Sequence, residues 1–378
     1  MRVALVHYWL VNMRGGERVL ESLCRMFPDA DIYTHVVDRS NISRLLASHR
    51  ITETFIGRLP FAKRWYQKYL PLMPWALEAL DLTDYDLIIS SEAGPAKGIV
   101  PPPDGIHIAY VHSPTRYIWD KYYVYRGAAG RLTRLVMLPI AHWLRIWDTA
   151  SAARVDHVLA NSTFVAQRVT KYWRRDAEVV FPPVAVEEFQ PAAVEDLEGY
   201  YLWAGELVSY KRPDIAVEAF RRNGRRLIVI GNGSERARLE RNATPNITFI
   251  GKVGFAELKR YMARCQALIF PGDEDFGIIP VEVQASGRPV IAYGRGGILD
   301  TVIDGQTGIL YREPGAEGLV AAIERFEASD LVRGATDACV ANASRFTEAA
   351  FQDGVRAALA RCGVTWTPPV SPIERGLA

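Results

Sequence analysis

The sequence predicts an α/β protein built from two doubly wound domains, and three observations carry that prediction. The chain opens on Arg2–His7, a continuous apolar run of the kind that forms a buried parallel strand. Strand–loop–helix alternation follows, stops at a proline- and acid-rich stretch, and restarts after it. In the second half, glycine-rich loops fall at the carboxyl ends of the strands, where backbone N–H groups can cradle phosphate. A length of 378 residues accommodates two domains, and 49% apolar with 23% charged residues is ordinary for a globular chain. A formal net charge of +2 gives no reason to expect a nucleic-acid partner.

In the first half, Arg2–His7 leads through a loop, Trp9–Gly16, to a helical pattern at Glu17–Phe27. No G-x-G-x-x-G is present, so a dinucleotide reading is weak. Gly15 and Gly16 either satisfy a turn or let backbone approach a ligand at the end of the first strand. Further strands are expected at Ile32–Val36, Leu87–Ser90, Ile106–His112 and His157–Asn161. His112 therefore ends a strand, ahead of a Ser113-Pro114 turn, with Arg116 and Trp119 close behind. A histidine so placed points to the ligand side of a parallel sheet, where it could donate to a hydroxyl or a phosphate oxygen; otherwise it is structural. Residues 61–79 and 131–147 mix Lys or Arg with Trp, Tyr and Leu around prolines. They read either as helices with aromatic core faces or as a surface resting on an anionic membrane.

The stretch Phe181–Glu198 is the best linker candidate. Beyond it, strands are expected at Tyr200–Ala204, Arg226–Ile230, Ile247–Ile250, Ala267–Phe270, Pro289–Tyr293 and Gly308–Tyr311, with helices between them. Final helices at Glu317–Glu327 and Thr347–Arg361 precede a tail, residues 367–378, expected to be mobile. Cys24, Cys265, Cys339 and Cys362 show no CxxC pairing and read as thiols in a reducing compartment. The amino terminus runs into a strand without a signal-peptide pattern, and the longest apolar or neutral run, Leu135–Leu144, is short of a membrane span. A cytoplasmic location is expected, with attachment to the membrane face left open.

The densest stretch is Phe270–Tyr293, which joins a strand end, an acidic loop, Gly277, a short helix and another strand. Glu274 lies in the loop and Glu282 in the helix. A helix opening from glycine offers N–H groups and a positive dipole end to an anion, and carboxylates beside it can accept hydrogen bonds from sugar hydroxyls. A capped surface helix is the plainer reading. Lys211, Gly231, Gly233, Lys252 and Val253 follow the preceding strands. Lys211 is either a solvated loop residue or a stabiliser of a departing diphosphate. Asp273 and Asp275 flank Glu274 without forming a metal-holding pair, so neither a divalent ion nor another cofactor is expected.

The segments R-G-G-E-R-V at 14–19, H-S-P-T-R-Y-I-W-D at 112–120, A-N-S-T-F-V at 160–165, S-Y-K-R-P-D at 209–214, G-N-G at 231–233 and E-D-F-G-I-I-P-V-E at 274–282 resemble, in order, a family 4 retaining glycosyltransferase. More narrowly, the chain is similar to the bacterial mannosyltransferase-like branch of polysaccharide biosynthesis. The resemblance implies the GT-B fold, two Rossmann-like domains facing a central cleft: residues 1–185 as the acceptor-binding domain, with a helix near 347–362 packing back on it, and 186–346 as the nucleotide-sugar domain. It implies that Glu274 contacts the donor sugar, helped by the backbone of Phe276, Gly277 and Ile278. Glu282 takes the ribose, Lys211 neutralises the leaving diphosphate, Gly15 and Gly16 sit against diphosphate and sugar, and His112 reaches the sugar. Base recognition falls to backbone around Lys252–Val253. The implied reaction transfers a hexose, mannose from GDP-mannose, to a polyprenyl-diphosphate-linked saccharide in exopolysaccharide or O-antigen synthesis. Configuration is retained, without a metal or a protein nucleophile, in the cytoplasm or peripherally at the inner face of the plasma membrane. A UDP-sugar donor, an epimerase, and a non-catalytic nucleotide-sugar-binding protein on the same fold are the alternatives. One position departs from the family pattern: Glu206 follows Gly205 where many members carry an arginine for the diphosphate, leaving Arg212 or another cation to replace it.

Overall fold

The computed structural model describes residues 1–366; the tail 367–378, expected to be mobile, lies outside the described residues. The chain divides into two compact units. The first runs from Met1 to Pro183 and takes the chain up again from Phe351; the second is Val184–Ala350.

The first unit is a parallel sheet in the order β3-β2-β1-β4-β5-β6-β7, comprising Val3–His7 (β1), Asp31–Thr34 (β2), Ile51–Glu53 (β3), Leu87–Glu92 (β4), Ile106–Val111 (β5), His157–Ala160 (β6) and Glu178–Val179 (β7). Every residue of β1 and β4 is buried, so neither alternates; β1 is apolar up to His7, while β4 turns polar at Ser90, Ser91 and Glu92. The edge strands β3 and β7 were not expected from the sequence. They are three and two residues long, too short to show a period. The second unit is a parallel sheet in the order β10-β9-β8-β11-β12-β13, from Tyr201–Ala204 (β8), Leu227–Ile230 (β9), Ile247–Gly251 (β10), Leu268–Phe270 (β11), Val290–Tyr293 (β12) and Gly308–Tyr311 (β13). All six coincide with strands expected from the sequence. In both sheets the first strand lies inside, with the next two on one side and the later ones on the other. The chain therefore reverses its direction of travel at β1/β4 and at β8/β11, the positions where doubly wound sheets open a crevice at their carboxyl ends.

The segment expected to be a linker packs on the second unit instead. Val184 N donates to Phe346 O at 2.8 Å, and Phe189 is buried. The last helix, Glu348–Arg361, closes the first unit: Phe351, Val355, Ala358 and Leu359 enter its core, and the Phe351 ring meets Tyr110 edge-on at 5.5 Å. Each large side chain so buried contributes about 1.5–3 kcal/mol. Residues 131–147 lie within one helix, Arg131–Ala152, which continues through Pro139. Residues 61–79 form a short helix, a 3₁₀ segment Tyr66–Leu72 and a helix Met73–Glu78. Cys24, Cys265 and Cys339 are buried free thiols, and Cys362 is half-buried. Among the described residues no helix is long and apolar enough to cross a membrane.

Candidate active site

The loops that leave β8 and β11 meet at the reversal point of the second sheet. β8 runs through Gly205 to a 3₁₀ turn, Ser209–Lys211, and Arg212, in left-handed backbone (φ 52°), starts the helix Pro213–Asn223. β11 runs into Pro271–Phe276, and Gly277 (φ 88°, ψ 79°) starts the helix Ile278–Ala285. Gly277 takes a left-handed conformation that side chains rarely adopt. Close packing brings the two loops together: a Cβ on Gly272 would lie 3.0 Å from the Lys211 carbonyl oxygen.

Across this contact Lys211 Nζ donates to Glu274 Oε1 at 2.6 Å, with the side chains 17% and 19% exposed. Burial disfavours the ammonium, but the Glu274 carboxylate outweighs it and Glu206 adds to the same field, so Lys211 titrates above its ordinary value. Glu206 is exposed, and its charge acts on Lys211. Arg212 is exposed as well, and its guanidinium is held by Asp214, Nε to Oδ1 at 3.0 Å and Nη2 to Oδ2 at 2.9 Å. Lys211 is thus the cation in direct contact with Glu274.

The helix Ile278–Ala285 opens from Gly277, which has no side chain to cap it. Its first-turn N–H groups have no acceptor within the helix, and Pro280 contributes none, which leaves Ile278 and Ile279 as donors. Glu282, one turn on, is half-buried. The helix is anchored from behind by Gln284, fully buried, whose amide donates to Thr301 O at 2.8 Å and accepts from Asn342 Nδ2 at 2.7 Å. The Phe276 ring is buried against Phe346, centroids 5.5 Å apart. The acidic loop rests on glycines that sequence reasoning passed over: Gly297 N donates to Glu274 O at 2.9 Å, and a Cβ there would sit 2.2 Å from Asp275 O. The G-R-G-G run at 294–297 was the available signal.

Gly231 and Gly233 hold the neighbouring loop down. A Cβ on Gly231 (φ 135°) would lie 1.8 Å from Gly205 O, and one on Gly233 would lie 2.3 Å from Leu207 O. Lys252 is exposed and Val253 half-buried just after β10. Lys211, Gly231, Gly233, Lys252, Val253, Glu274, Phe276, Gly277 and Ile278 thus follow four successive strands of one parallel sheet, at its carboxyl edge.

In the first unit, Gly15 and Gly16 open the helix Gly15–Met26 after β1, and His112 directly follows β5. A Cβ on Gly16 would lie 3.6 Å from His112 Nε2 and 2.3 Å from the Tyr8 hydroxyl. His112 Nε2 pairs with Ser91 Oγ at 2.8 Å at the end of β4. Behind them Glu17 is buried, with Oε2 accepting from Arg14 N at 2.9 Å and Oε1 3.7 Å from His7 Nε2. Burial pushes the Glu17 carboxyl up, but His7 and the backbone donors prevail and hold it below its ordinary value.

The loop after His112 is clamped by Arg168, which is buried on the helix Thr163–Trp173. Its Nη1 donates to Ser113 Oγ at 3.2 Å, and its Nη2 donates to Pro114 O at 3.1 Å and to Asp120 Oδ1 at 2.7 Å. Beneath the loop, Glu92, Lys97 and Asp148 are fully buried together. Lys97 Nζ donates to Asp148, whose other oxygen accepts from Trp119 and Trp173 indoles at 2.7 Å each. Neither Arg168 nor this group was singled out from the sequence, where isolated charges look alike. Among the described residues no three His, Cys, Asp or Glu side chains are grouped to hold a metal ion.

The comparisons with known proteins agree with this architecture. Residues 13–188 match the model of Glycosyltransferase Family 4, and residues 186–346 match that of Glycosyl transferases group 1. A D-inositol 3-phosphate glycosyltransferase of Segniliparus rotundus is 28% identical over 233 residues, 54% of this chain and 52% of the relative. A GDP-mannose-dependent alpha-mannosyltransferase of Mycolicibacterium smegmatis is 29% identical over 181 residues, 45% of this chain and 48% of the relative. The chain thus spans about half the length of these curated relatives. The crystal structure of Anabaena HepE in complex with UDP-glucose superposes with a TM-score of 0.67 at 16% identity, over 96% of this chain and 100% of that one, a likeness of fold. Two adjoining model matches that run from residue 13 to residue 346, on two parallel doubly wound sheets, place this chain in the family 4, group 1 glycosyltransferases of the GT-B fold.

Proposed function

We propose that the protein transfers a hexose, mannose from GDP-mannose, to a polyprenyl-diphosphate-linked saccharide in bacterial polysaccharide synthesis. The observation that carries this reading is the Lys211–Glu274 pair at the β8/β11 reversal point, beside the N-terminus of a helix that opens from Gly277. An ammonium and the first-turn N–H groups of a helix suit a diphosphate, and the adjacent carboxylate suits sugar hydroxyls. In this reading Lys211 offsets charge on the leaving diphosphate, with the Ile278 and Ile279 N–H groups sharing the load that Glu206 does not carry. Glu274 orients the sugar with the backbone of Phe276 and Gly277, and Glu282 accepts from the ribose. Gly231 and Gly233 keep the backbone close, and Lys252–Val253 meet the base. Gly15, Gly16 and His112 serve the sugar in the first unit, with Arg212 at the rim. The family resemblance further supports retention of configuration without a metal ion.

A relative named for GDP-mannose supports the donor. The HepE complex, which holds UDP-glucose, makes a UDP-sugar the competitor. Thermal shifts with GDP-mannose, UDP-glucose and ADP-glucose decide between them, because a donor at about 100 times its Kd adds about 2.7 kcal/mol to stability. A larger shift with UDP-glucose than with GDP-mannose would overturn the donor assignment. Release of free sugar or an epimer without lipid would overturn transfer itself. The basic, aromatic segments 61–79 and 131–147 support peripheral attachment at the inner membrane face, which flotation with anionic liposomes at low salt tests.

A further inference from the structure

Eight of the large apolar side chains exposed among the described residues fall between Tyr123 and Ile146, in the helices Tyr122–Ala128 and Arg131–Ala152. Leu132 and Leu135 are 77% and 74% exposed. This is no loose hairpin: the Arg134 guanidinium donates to Arg126 O and Gly127 O at 3.2 Å, stapling one helix to the next. The exposed face borders a groove of about 410 Å³ floored by Ile118, Ala141 and Leu144 and walled by Leu132, Val136 and Leu70. Residues 121–147 carry five Lys or Arg and no Asp or Glu. The floor is tied to the candidate site. Ile118 lies six residues past His112 on the loop that Arg168 clamps, and Arg145 Nε donates to Ile118 O at 2.6 Å.

We infer that this groove holds the isoprenoid chain of the acceptor, with the surrounding cations facing its phosphates. A flat membrane contact needs an apolar face but no concave channel. Here the groove takes Tyr117 and Ile118 from the same loop that begins at His112, so a chain lying in it runs beside the segment that carries that histidine. The inference rests on the lipid-acceptor part of the reading above, but its test uses no sugar donor, so the two fail separately.

The probe is fluorescently tagged geranylgeranyl diphosphate, titrated with the whole protein and followed by anisotropy. Saturable binding is expected. Val136→Trp, which fills the channel from an exposed position, is expected to weaken it at least tenfold while melting temperature, GDP binding and flotation on phosphatidylglycerol vesicles stay unchanged. Leu132→Asp, a second variant at the rim, is expected to weaken it in the same way. Equal binding by both variants overturns the inference. Loss of probe binding only in step with loss of flotation overturns it in favour of a plain membrane face. Absence of saturable binding, with a concentration-dependent dimer that Leu132→Asp abolishes, overturns it in favour of a second copy of the chain.

Discussion

Lys211→Met removes the ammonium from the centre of the candidate site and leaves the Glu274 carboxylate in place. The two side chains are about four-fifths buried and 2.6 Å apart. Exposed pairs are worth less than about 1 kcal/mol, and breaking fully buried ones costs about 3–5 kcal/mol. A cost of about 1–3 kcal/mol is therefore expected, each kcal/mol lowering the melting temperature by roughly 2–4 °C in a unit of this size. Because Lys211 titrates above its ordinary value, its contribution is present throughout the neutral range and lost only as pH rises through that raised value. The loss in the variant should thus be the same at pH 7 and pH 9. Ligand binding separates structure from function. Lys211→Met should weaken nucleoside diphosphate and nucleotide-sugar alike, and lower kcat/KM by about 10²–10³ if the ammonium stabilises a departing diphosphate. Glu274→Gln keeps a partner for Lys211, and should leave nucleoside diphosphate binding intact while abolishing the extra affinity for the sugar-bearing form. Isothermal titration with GDP and GDP-mannose reads both. Unchanged GDP affinity in Lys211→Met would refute the assignment of this lysine to the diphosphate.

Three further outcomes follow from the packing. Gly231→Ala places a Cβ 1.8 Å from Gly205 O at φ 135°, so the second unit should lose about 2–4 kcal/mol in urea unfolding. Asn342→Ala strips a partner from the buried Gln284 carbonyl, and should cost about 1–3 kcal/mol and speed amide exchange in the helix Ile278–Ala285. The third concerns pH. Burial lowers His35 and His107 to about 3, so each contributes stability that is full above its unfolded value and falls by about 1.4 kcal/mol per unit as pH drops below about 6.5. Burial raises Glu92 to about 7, against the opposing pull of Lys97, and this carboxyl acts in the other direction, costing stability as pH rises toward 7. Glu92→Gln should therefore raise the melting temperature at pH 8 and change it little at pH 5, and the reverse pattern in a pH series of thermal scans would contradict this reading of the buried group.

Much of the fold was legible because buried parallel strands are apolar runs. Five strands of the second unit, and β1, β5 and β6 of the first, announce themselves largely in this way; β10, Ile-Thr-Phe-Ile-Gly with Thr248 exposed, and β4, polar from Ser90, do so only in part. The edge strands β3 and β7 do not, since a strand of two or three residues has neither a run nor a period. The proline-rich stretch before β8 read as a free linker, yet Phe189 buries itself in the second unit. Composition reports what a segment is made of and not which surface it finds. At the candidate site, Lys211 and Glu274 lie 63 residues apart in sequence; their places after two strands of one sheet were legible, but the ion pair between them was not. Supporting residues were not legible. Gly297 beneath the acidic loop, Arg168 across the His112 loop and Asp148 under Trp119 act through contacts that only the folded chain makes.

The central claim concerns transfer of sugar, and Glu274 is the residue on which it turns. The most direct measurement incubates wild-type protein and Glu274→Ala with radiolabelled GDP-mannose and a bacterial lipid extract, then counts label in the organic phase. The account predicts label in lipid for wild type and a loss of at least about a hundredfold in the variant. Undiminished transfer by Glu274→Ala would contradict it.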